Sequence, residues 1–303
     1  MDTYTTIEYA VTGKIARITL ARPERGNGIT LEMPREITHA VERANLDPSV
    51  SVIALSGKGK GFCGGYDLVA SAEGNMSGVA SGAPAGSPID PAVIAKNHDP
   101  SAVWDPMVDY AMMSRNVRGF MSLFFSDKPV VCKVHGFCVA GGTDMALCSD
   151  LLVMASDAKI GYPPARVWGV PTTALWAHRI GAQRAKRLLL TGDCLDGREA
   201  VEWGLAIEHA PADALDARFE TLLERIARVP VNQLVMHKLL VNQAVMASGV
   251  FASQALGTVF DGIARHTAEG YAFQSTAMRE GFKAAVAERD GPFGDKGPST
   301  FKG

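Results

Sequence analysis

The sequence of 303 residues lacks an excess of charge of either sign: 30 Lys and Arg stand against 32 Asp and Glu, a formal net charge of −2. No basic surplus is available to neutralise a nucleic-acid backbone, so we expect no nucleic-acid partner. The chain also lacks any apolar run near the ~18 residues that a membrane-spanning helix needs, so we expect no membrane association. The composition, 47% hydrophobic, excludes disorder throughout the chain.

Cysteine is scarce and irregularly placed. The five cysteines form no Cys-x-x-Cys pair, and no His-Glu-x-x-His motif occurs. The sequence therefore predicts neither a disulfide framework nor a metal site. The first ten residues, MDTYTTIEYA, carry neither the basic nor the apolar segment of a secretory signal. These absences predict a cytoplasmic protein.

Complete nucleotide-binding and nucleophile motifs are also missing. Residues 57–62 begin like a dinucleotide fingerprint, but Phe62 stands where the third glycine belongs. No Walker A loop and no Gly-x-Ser-x-Gly elbow occurs. These absences disfavour a Rossmann enzyme, a P-loop enzyme and an α/β-hydrolase.

What the sequence does contain is an alternation of apolar strand-like segments with helical ones. Residues 7–20 predict a β-hairpin, and Val130–Val134 and Leu151–Ala155 predict buried strands. Strands that alternate with helices favour an α/β fold of wound β-α units.

Two changes of composition divide the chain. Residues 70–104 are rich in Gly, Ser, Ala and Pro, which predicts a long loop insertion. After residue 210 apolar residues recur at helical spacing without a strand between the helices. We therefore expect a core over residues 1–210 and a helical region over residues 211–303.

Two glycine-rich segments, residues 57–65 and 141–142, suggest a site made of backbone. Glycine lets a ligand approach the main chain closely, and each segment can present one N–H to a carbonyl oxygen that becomes negative during a reaction. A helix that begins at Gly141 adds the positive end of its dipole. Each donor of such an oxyanion hole is typically worth ~10²–10³ in rate.

The same segments resemble the two signatures of the crotonase (enoyl-CoA hydratase/isomerase) superfamily. The first signature is Ser56–Leu68, the second extends from Lys128 to Asp150, and Leu190–Asp193 and Arg279–Phe282 match later parts of the family pattern. The resemblance implies a crotonase-like ββα spiral core followed by a C-terminal α-helical trimerisation region. It also implies assembly as a homo-trimer or hexamer.

The resemblance further implies an acyl-CoA thioester as the substrate, with CoA as part of that substrate and no separate cofactor or metal. The oxyanion-hole amides of the family correspond to Tyr66 and Gly141. The lysine that faces phosphate in the family's last helix is not matched, and Arg289 is the nearest cation. Substrate and CoA contacts are implied at Arg25, Gly65, Asp67, Leu68 and Gly142.

The catalytic pattern departs from the family at the second of its two carboxylates. Asp144 stands at the position of the first glutamate, one methylene shorter, whereas Pro164 occupies the second position and cannot transfer a proton. We therefore expect Asp144 to be the single retained acid or base. Four residues near the altered segment are candidates to replace the missing acid, each with a surface or packing role as the alternative: Asp157, Tyr162, Arg166 and His178.

Three functional hypotheses follow from this pattern. The leading one is an enoyl-CoA hydratase/isomerase-like enzyme that stabilises an enolate in the oxyanion hole and uses Asp144 as its acid or base. The second is an acyl-CoA binding protein without catalysis, which Pro164 favours. The third is another crotonase reaction, either C–C cleavage or thioester hydrolysis.

Overall fold

The computed structural model describes residues 4–67 and 83–294. The strands of these ranges are β1 Ile7–Thr12, β2 Ile15–Leu20, β3 Val52–Gly57, β4 Val130–Val134, β5 Phe137–Val139, β6 Leu151–Ala155, β7 Lys159–Gly161, β8 Cys194–Leu195 and β9 Glu208–Ala210. The helices are α1 Met33–Leu46, α2 Pro91–Asn97, α3 Pro106–Phe124, α4 Gly141–Ala146, α5 Trp176–Thr191, α6 Gly197–Glu202, α7 Leu215–Ala227, α8 Val231–Ala247, α9 Val250–Arg265, α10 Ala268–Glu280 and α11 Phe282–Asp290.

The strands form two sheets, and the chain passes repeatedly between them. The larger sheet has the order β1-β2-β3-β4-β6-β9, in which only β1 and β2 are antiparallel. The smaller sheet has the order β5-β7-β8. From β4 onward the chain moves from the larger sheet to the smaller one and back, so it winds as a spiral. The expected α/β spiral is confirmed.

The sequence pattern accounts for the central strands. Val130, Val131 and Cys132 of β4 are completely buried, as a near-continuous apolar run predicts for a strand covered on both faces. At the sheet edge, Gly13 adopts a positive φ of 58° in the turn between β1 and β2, a conformation that glycine enters without steric cost.

The loop expected over residues 70–104 contains a helix, α2, so the expectation is wrong for residues 91–97. Asp90 caps this helix by accepting a hydrogen bond from the Ala92 N–H, Pro91 occupies the first turn, and Ile94 is buried. These local signals are hidden in an average composition rich in Gly, Ser and Pro. Residues 70–82 of the expected loop lie outside the described residues.

The region after residue 210 is helical, but its first helix packs on the sheet. Leu215, Phe219 and Leu223 of α7 belong to the main hydrophobic core. The oligomerisation role of residues 211–303 stays a prediction. Among the described residues no single helix is long and apolar enough to cross a membrane; only α8 and α9 together meet that test of length and composition, across a 62° bend.

Candidate active site

A cavity of about 320 Å³ lies between the spiral core and the C-terminal helices. Its volume is in the range of small-molecule sites. The wall includes Ile29, Gly64, Tyr66, Asp67, Ala140 and Pro164 from the core, Met112, Met113 and Asn116 from α3, and Asp261, Arg265 and Phe273 from the C-terminal helices.

Asn27 fixes the first glycine segment beside this cavity. Its side-chain amide donates to the carbonyl oxygens of Lys58, Gly61 and Phe62 at 2.9–3.0 Å, and its own φ is positive at 54°. A buried side chain that bonds three carbonyls of one loop determines the path of that loop. This bracing role of Asn27 is a structural finding.

The two glycine segments are in contact. A Cβ added at Gly65, where φ is 98°, would lie 2.7 Å from Ala140 Cβ and 3.5 Å from the Gly141 nitrogen. A Cβ at Gly141 would lie 2.6 Å from Cε2 of Tyr66. Both positions therefore require glycine, because a side chain would separate the segments. Ala140 itself has a positive φ of 54°, an unusual conformation for alanine.

The hydrogen bonds around Tyr66 define the side from which its amide is accessible. Ile29 donates to the Gly65 oxygen at 2.8 Å, and Asp67 donates to the Ile29 oxygen at 3.0 Å. Because successive amides of an extended chain point in opposite directions, the Tyr66 N–H points away from Ile29. Gly141 is the first residue of α4, where amides have no intrahelical acceptor. Their role as paired donors stays a prediction.

Asp144 is buried one turn into α4. Thr173 donates to its Oδ1 from the backbone N–H at 3.0 Å and from the hydroxyl at 2.8 Å, while its Oδ2 is buried without a hydrogen-bond partner. Burial raises the pKa of Asp144 to about 7, despite the hydrogen bonds from Thr173. The carboxyl group is thus held at one oxygen and able to exchange a proton near neutral pH at the other.

The sequence profile of the enoyl-CoA hydratase/isomerase family matches residues 11–84 and 105–295 of the chain. The chain belongs to the enoyl-CoA hydratase/isomerase family. A crystal structure of an enoyl-CoA hydratase from Mycobacterium smegmatis superimposes with a TM-score of 0.92 at 55% identity, covering 98% of this chain and 97% of the other. The expected crotonase superfamily and fold are confirmed, and an acyl-CoA substrate is consistent with this membership.

Relatives with different activities are about equally similar to the chain. The 1,2-epoxyphenylacetyl-CoA isomerase of Escherichia coli K12 is 26% identical over 290 residues, 93% of this chain and 95% of the isomerase. The (E)-benzylidenesuccinyl-CoA hydratase of Thauera aromatica is 26% identical over 300 residues, 97% of each chain. Similarity alone therefore does not choose between an isomerase and a hydratase.

Three of the four residues considered as replacements for the missing family carboxylate lie away from the cavity wall. Asp157 is exposed, Arg166 forms ion pairs with Asp193 and Asp290, and His178 bonds to the Ser248 hydroxyl at 2.9 Å. Tyr162 and Pro164 both line the cavity. The structure thus leaves Tyr162 as the one candidate of this group that is in position.

Sequence reasoning missed Asp261, a carboxylate of α9 that lines the cavity. Its Oδ2 lies 3.1 Å from Nη2 of Arg265, one turn later, and its Oδ1 accepts from the Val170 N–H at 3.4 Å. Burial is the main cause that raises the pKa of Asp261. The signal was a single acid in the mainly apolar segment Val250–Arg265, which contains no other carboxylate.

A cluster beside Asp261 resembles a metal site by composition. Side-chain ligand atoms of His98, Asp109 and His266 lie within 4.8 Å of one another. However, Oδ2 of Asp109 already contacts the side chains of Asn97, Trp104 and His266, and Arg265 lies 3.2 Å from Oδ1. A guanidinium ion at that distance repels a metal cation. This cluster is therefore better explained as a hydrogen-bonded junction between α2, α3 and α9.

Only some of the residues predicted to contact CoA line the cavity. Asp67 lines the cavity and forms ion pairs with Arg22 at 2.8 Å and Arg25 at 3.2 Å. Gly142 instead packs against Cys63, whose carbonyl oxygen would lie 2.7 Å from an added Cβ. Leu68 lies outside the described residues.

The last helix presents a cation to the same cavity. Arg289 lines the wall and pairs with Asp290 at 2.8 Å. Asp290 is fully buried and also pairs with Arg166, so it is turned away from the cavity into an ion-pair network.

Proposed function

We propose that the protein is an enoyl-CoA isomerase-type enzyme that forms an enolate of an acyl-CoA thioester and moves a proton with Asp144. The thioester oxygen would accept hydrogen bonds from the amides of Tyr66 and Gly141. The observation that carries the proposal is the Asp144 carboxyl group, which is held by Thr173 at Oδ1, free at Oδ2 and placed one turn after Gly141.

Double-bond migration needs only proton transfers at carbon. The Asp144 carboxylate takes the proton from C2 of a 3-enoyl-CoA, and the electrons of the C2–H bond extend into a dienolate whose charge rests on the thioester oxygen. A proton is then added at C4, so that the C3–C4 double bond is replaced by one between C2 and C3. With Asp144 alone, the same carboxyl group makes both transfers. Pro164 favours this reaction over hydration by paired carboxylates.

The second candidate is acyl-CoA binding without turnover. It is favoured by the burial of Asp144, which is 1% exposed and, unlike Tyr66, is not among the residues that line the cavity. Incubation with a panel of 3-enoyl-CoA and 2-enoyl-CoA thioesters, with analysis of products by mass and by enoyl absorbance, separates these functions. We expect isomerised product, and hydrated or cleaved product would indicate another crotonase reaction. Tight binding without any product would establish the second candidate.

We also propose that the outward faces of α8 and α9 form the contact between subunits of a trimer or hexamer. These two helices expose many large apolar side chains, and large exposed apolar surfaces mark contacts with other chains. The exposed residues are Val231, Met236, Leu239, Leu240, Val241, Phe251, Leu256, Val259, Phe260 and Ile263.

A further inference from the structure

Asp261 is well placed to reach a ligand in the cavity. It belongs to the cavity wall together with Tyr66 and Asn116, although its residue as a whole is only 6% exposed. Its contacts to Arg265 and to the Val170 N–H are at 3.1 Å and 3.4 Å, so the carboxylate is positioned without being enclosed by short hydrogen bonds.

Asp261 and Asp109, two negatively charged side chains, share one positively charged partner, Arg265. Arg265 is shared between two carboxylates, with Nη2 3.2 Å from Asp109 and 3.1 Å from Asp261. Asp109 is further stabilised by the side chains of Asn97 and Trp104 at 2.9 Å and 2.8 Å. One guanidinium ion therefore faces two acids, and the acid with fewer donors is Asp261. Burial raises the pKa of Asp261.

Asp144 and Asp261 influence the same buried groups. Burial is the largest cause that raises the pKa of the Tyr66 hydroxyl, of the Tyr162 hydroxyl and of Asp144. The charges of Asp144 and Asp261 raise the pKa of both hydroxyls further, and the charge of Asp261 raises that of Asp144. The hydroxyls of Tyr66 and Thr172 are both buried. Two acids, one from α4 and one from α9, thus accept hydrogen bonds from the same short segment, Asp144 from the Thr173 N–H and Asp261 from the Val170 N–H.

We propose that Asp261 is a second catalytic acid, which delivers the proton at the far carbon of the acyl group while Asp144 removes the proton at C2. This assignment rests on the proposed function. In the isomerisation, the Asp144 carboxylate gains the C2 proton, and the Asp261 carboxylic acid loses its proton to C4 as the double bond moves. The substrate and product have the same composition, and a proton passing from Asp144 to Asp261, directly or through water, restores the starting state. The protein then needs no carboxylate at position 164.

The test compares Asp144→Asn, Asp261→Asn and Asp109→Asn with the unsubstituted protein, using trans-3-hexenoyl-CoA in D₂O. Two rates are measured: deuterium incorporation at C2 and formation of the 2-enoyl product. Asp109→Asn is the matched control, because Asp109 also pairs with Arg265 but is not part of the cavity wall. Thermal unfolding of each variant shows whether it is folded.

We expect Asp261→Asn to keep deuterium exchange at C2 within a few-fold while product formation falls by ~10²-fold or more, the usual effect of a lost general acid. In Asp144→Asn both rates should be lost. In Asp109→Asn the ratio of deuterium incorporation to product formation should be the same as in the unsubstituted protein. A merely structural role of Asp261 would lower both rates together, and that result, or unchanged product formation, would overturn the assignment. If the unsubstituted protein shows neither rate although it binds the thioester, the proposed function itself is wrong.

Discussion

On the core side of the cavity the main chain forms the site: Gly65 and Gly141 bring two backbone segments into contact because neither has a side chain. On the helical side, the polar wall includes the side chains of Asn116, Asp261 and Arg265, which come from α3 and α9. The first arrangement is local and leaves a glycine pattern in the sequence. The second depends on how distant helices pack, so only the structure reveals it. The sequence alone can thus reveal a site built of backbone donors, but not one built of acids from distant helices.

The largest effect on the core side is expected for Asp144→Asn. Loss of the proton-transfer group should lower kcat by ~10²–10⁴-fold, with little change in acyl-CoA binding. Steady-state rates and binding titrations measure the two quantities. Asp157→Asn, an exposed acid, is the control and should behave like the unsubstituted protein. Equal activity of Asp144→Asn would contradict the role of this carboxyl group.

Gly65→Ala tests whether the contact between the glycine segments matters beyond backbone strain. The added Cβ would lie 2.7 Å from Ala140 Cβ at a positive φ, whereas at Gly204 a Cβ meets no atom within 4 Å at a similar φ of 77°. We expect Gly204→Ala to cost about 1 kcal/mol of unfolding free energy and Gly65→Ala about 1–3 kcal/mol more. Activity should fall only in Gly65→Ala. Equal effects of the two substitutions on stability and activity would show that the close approach is unimportant.

The raised pKa of Asp144 predicts the direction in which both the rate and the unfolding free energy change with pH. As the base, Asp144 must be ionised, so kcat/KM should rise with pH through about 7. Its pKa is higher in the native state than the ordinary 3.8, so the native state retains a proton that the unfolded chain has lost. The unfolding free energy should therefore decrease as pH rises from about 4 to 7, by at most ~1.4 kcal/mol per pH unit.

Denaturant titrations of the unsubstituted protein and of Asp144→Asn across this pH range measure how much Asp144 contributes to the pH dependence of the unfolding free energy. The variant should show a smaller decrease, because its amide does not titrate. An identical pH dependence in both proteins would mean that Asp144 has an ordinary pKa.

The smallest effect on catalysis is expected from a substitution on the exposed apolar surface of α8 and α9. Phe260→Glu on α9 places a charge in the exposed apolar surface, where it should weaken assembly but change the stability of the single chain by no more than ~0.5 kcal/mol. Light scattering measures the mass of the particle. Lys283→Glu, on α11 and outside this surface, is the control. An unchanged mass of Phe260→Glu would place the subunit contact elsewhere.

Much of the core was predictable because its signals are local. The strands Val130–Val134 and Leu151–Ala155 begin and end where their apolar runs do. Helix α2 was not predicted, because its cap at Asp90 and its single buried Ile94 are hidden in a segment rich in Gly, Ser and Pro. Asp261 was not predicted either. Its importance depends on Arg265, Asp109 and Asp144, and two of these come from other helices.

The measurement that tests the central claim most directly is deuterium exchange at C2 of a saturated acyl-CoA in D₂O, because it needs only enolate formation and no particular product. We predict exchange with the unsubstituted protein and its loss, by ~10²-fold or more, in an Asp144→Asn variant that still binds the thioester. Exchange that continues undiminished in Asp144→Asn would contradict the account, as would its absence from an unsubstituted protein that binds the thioester.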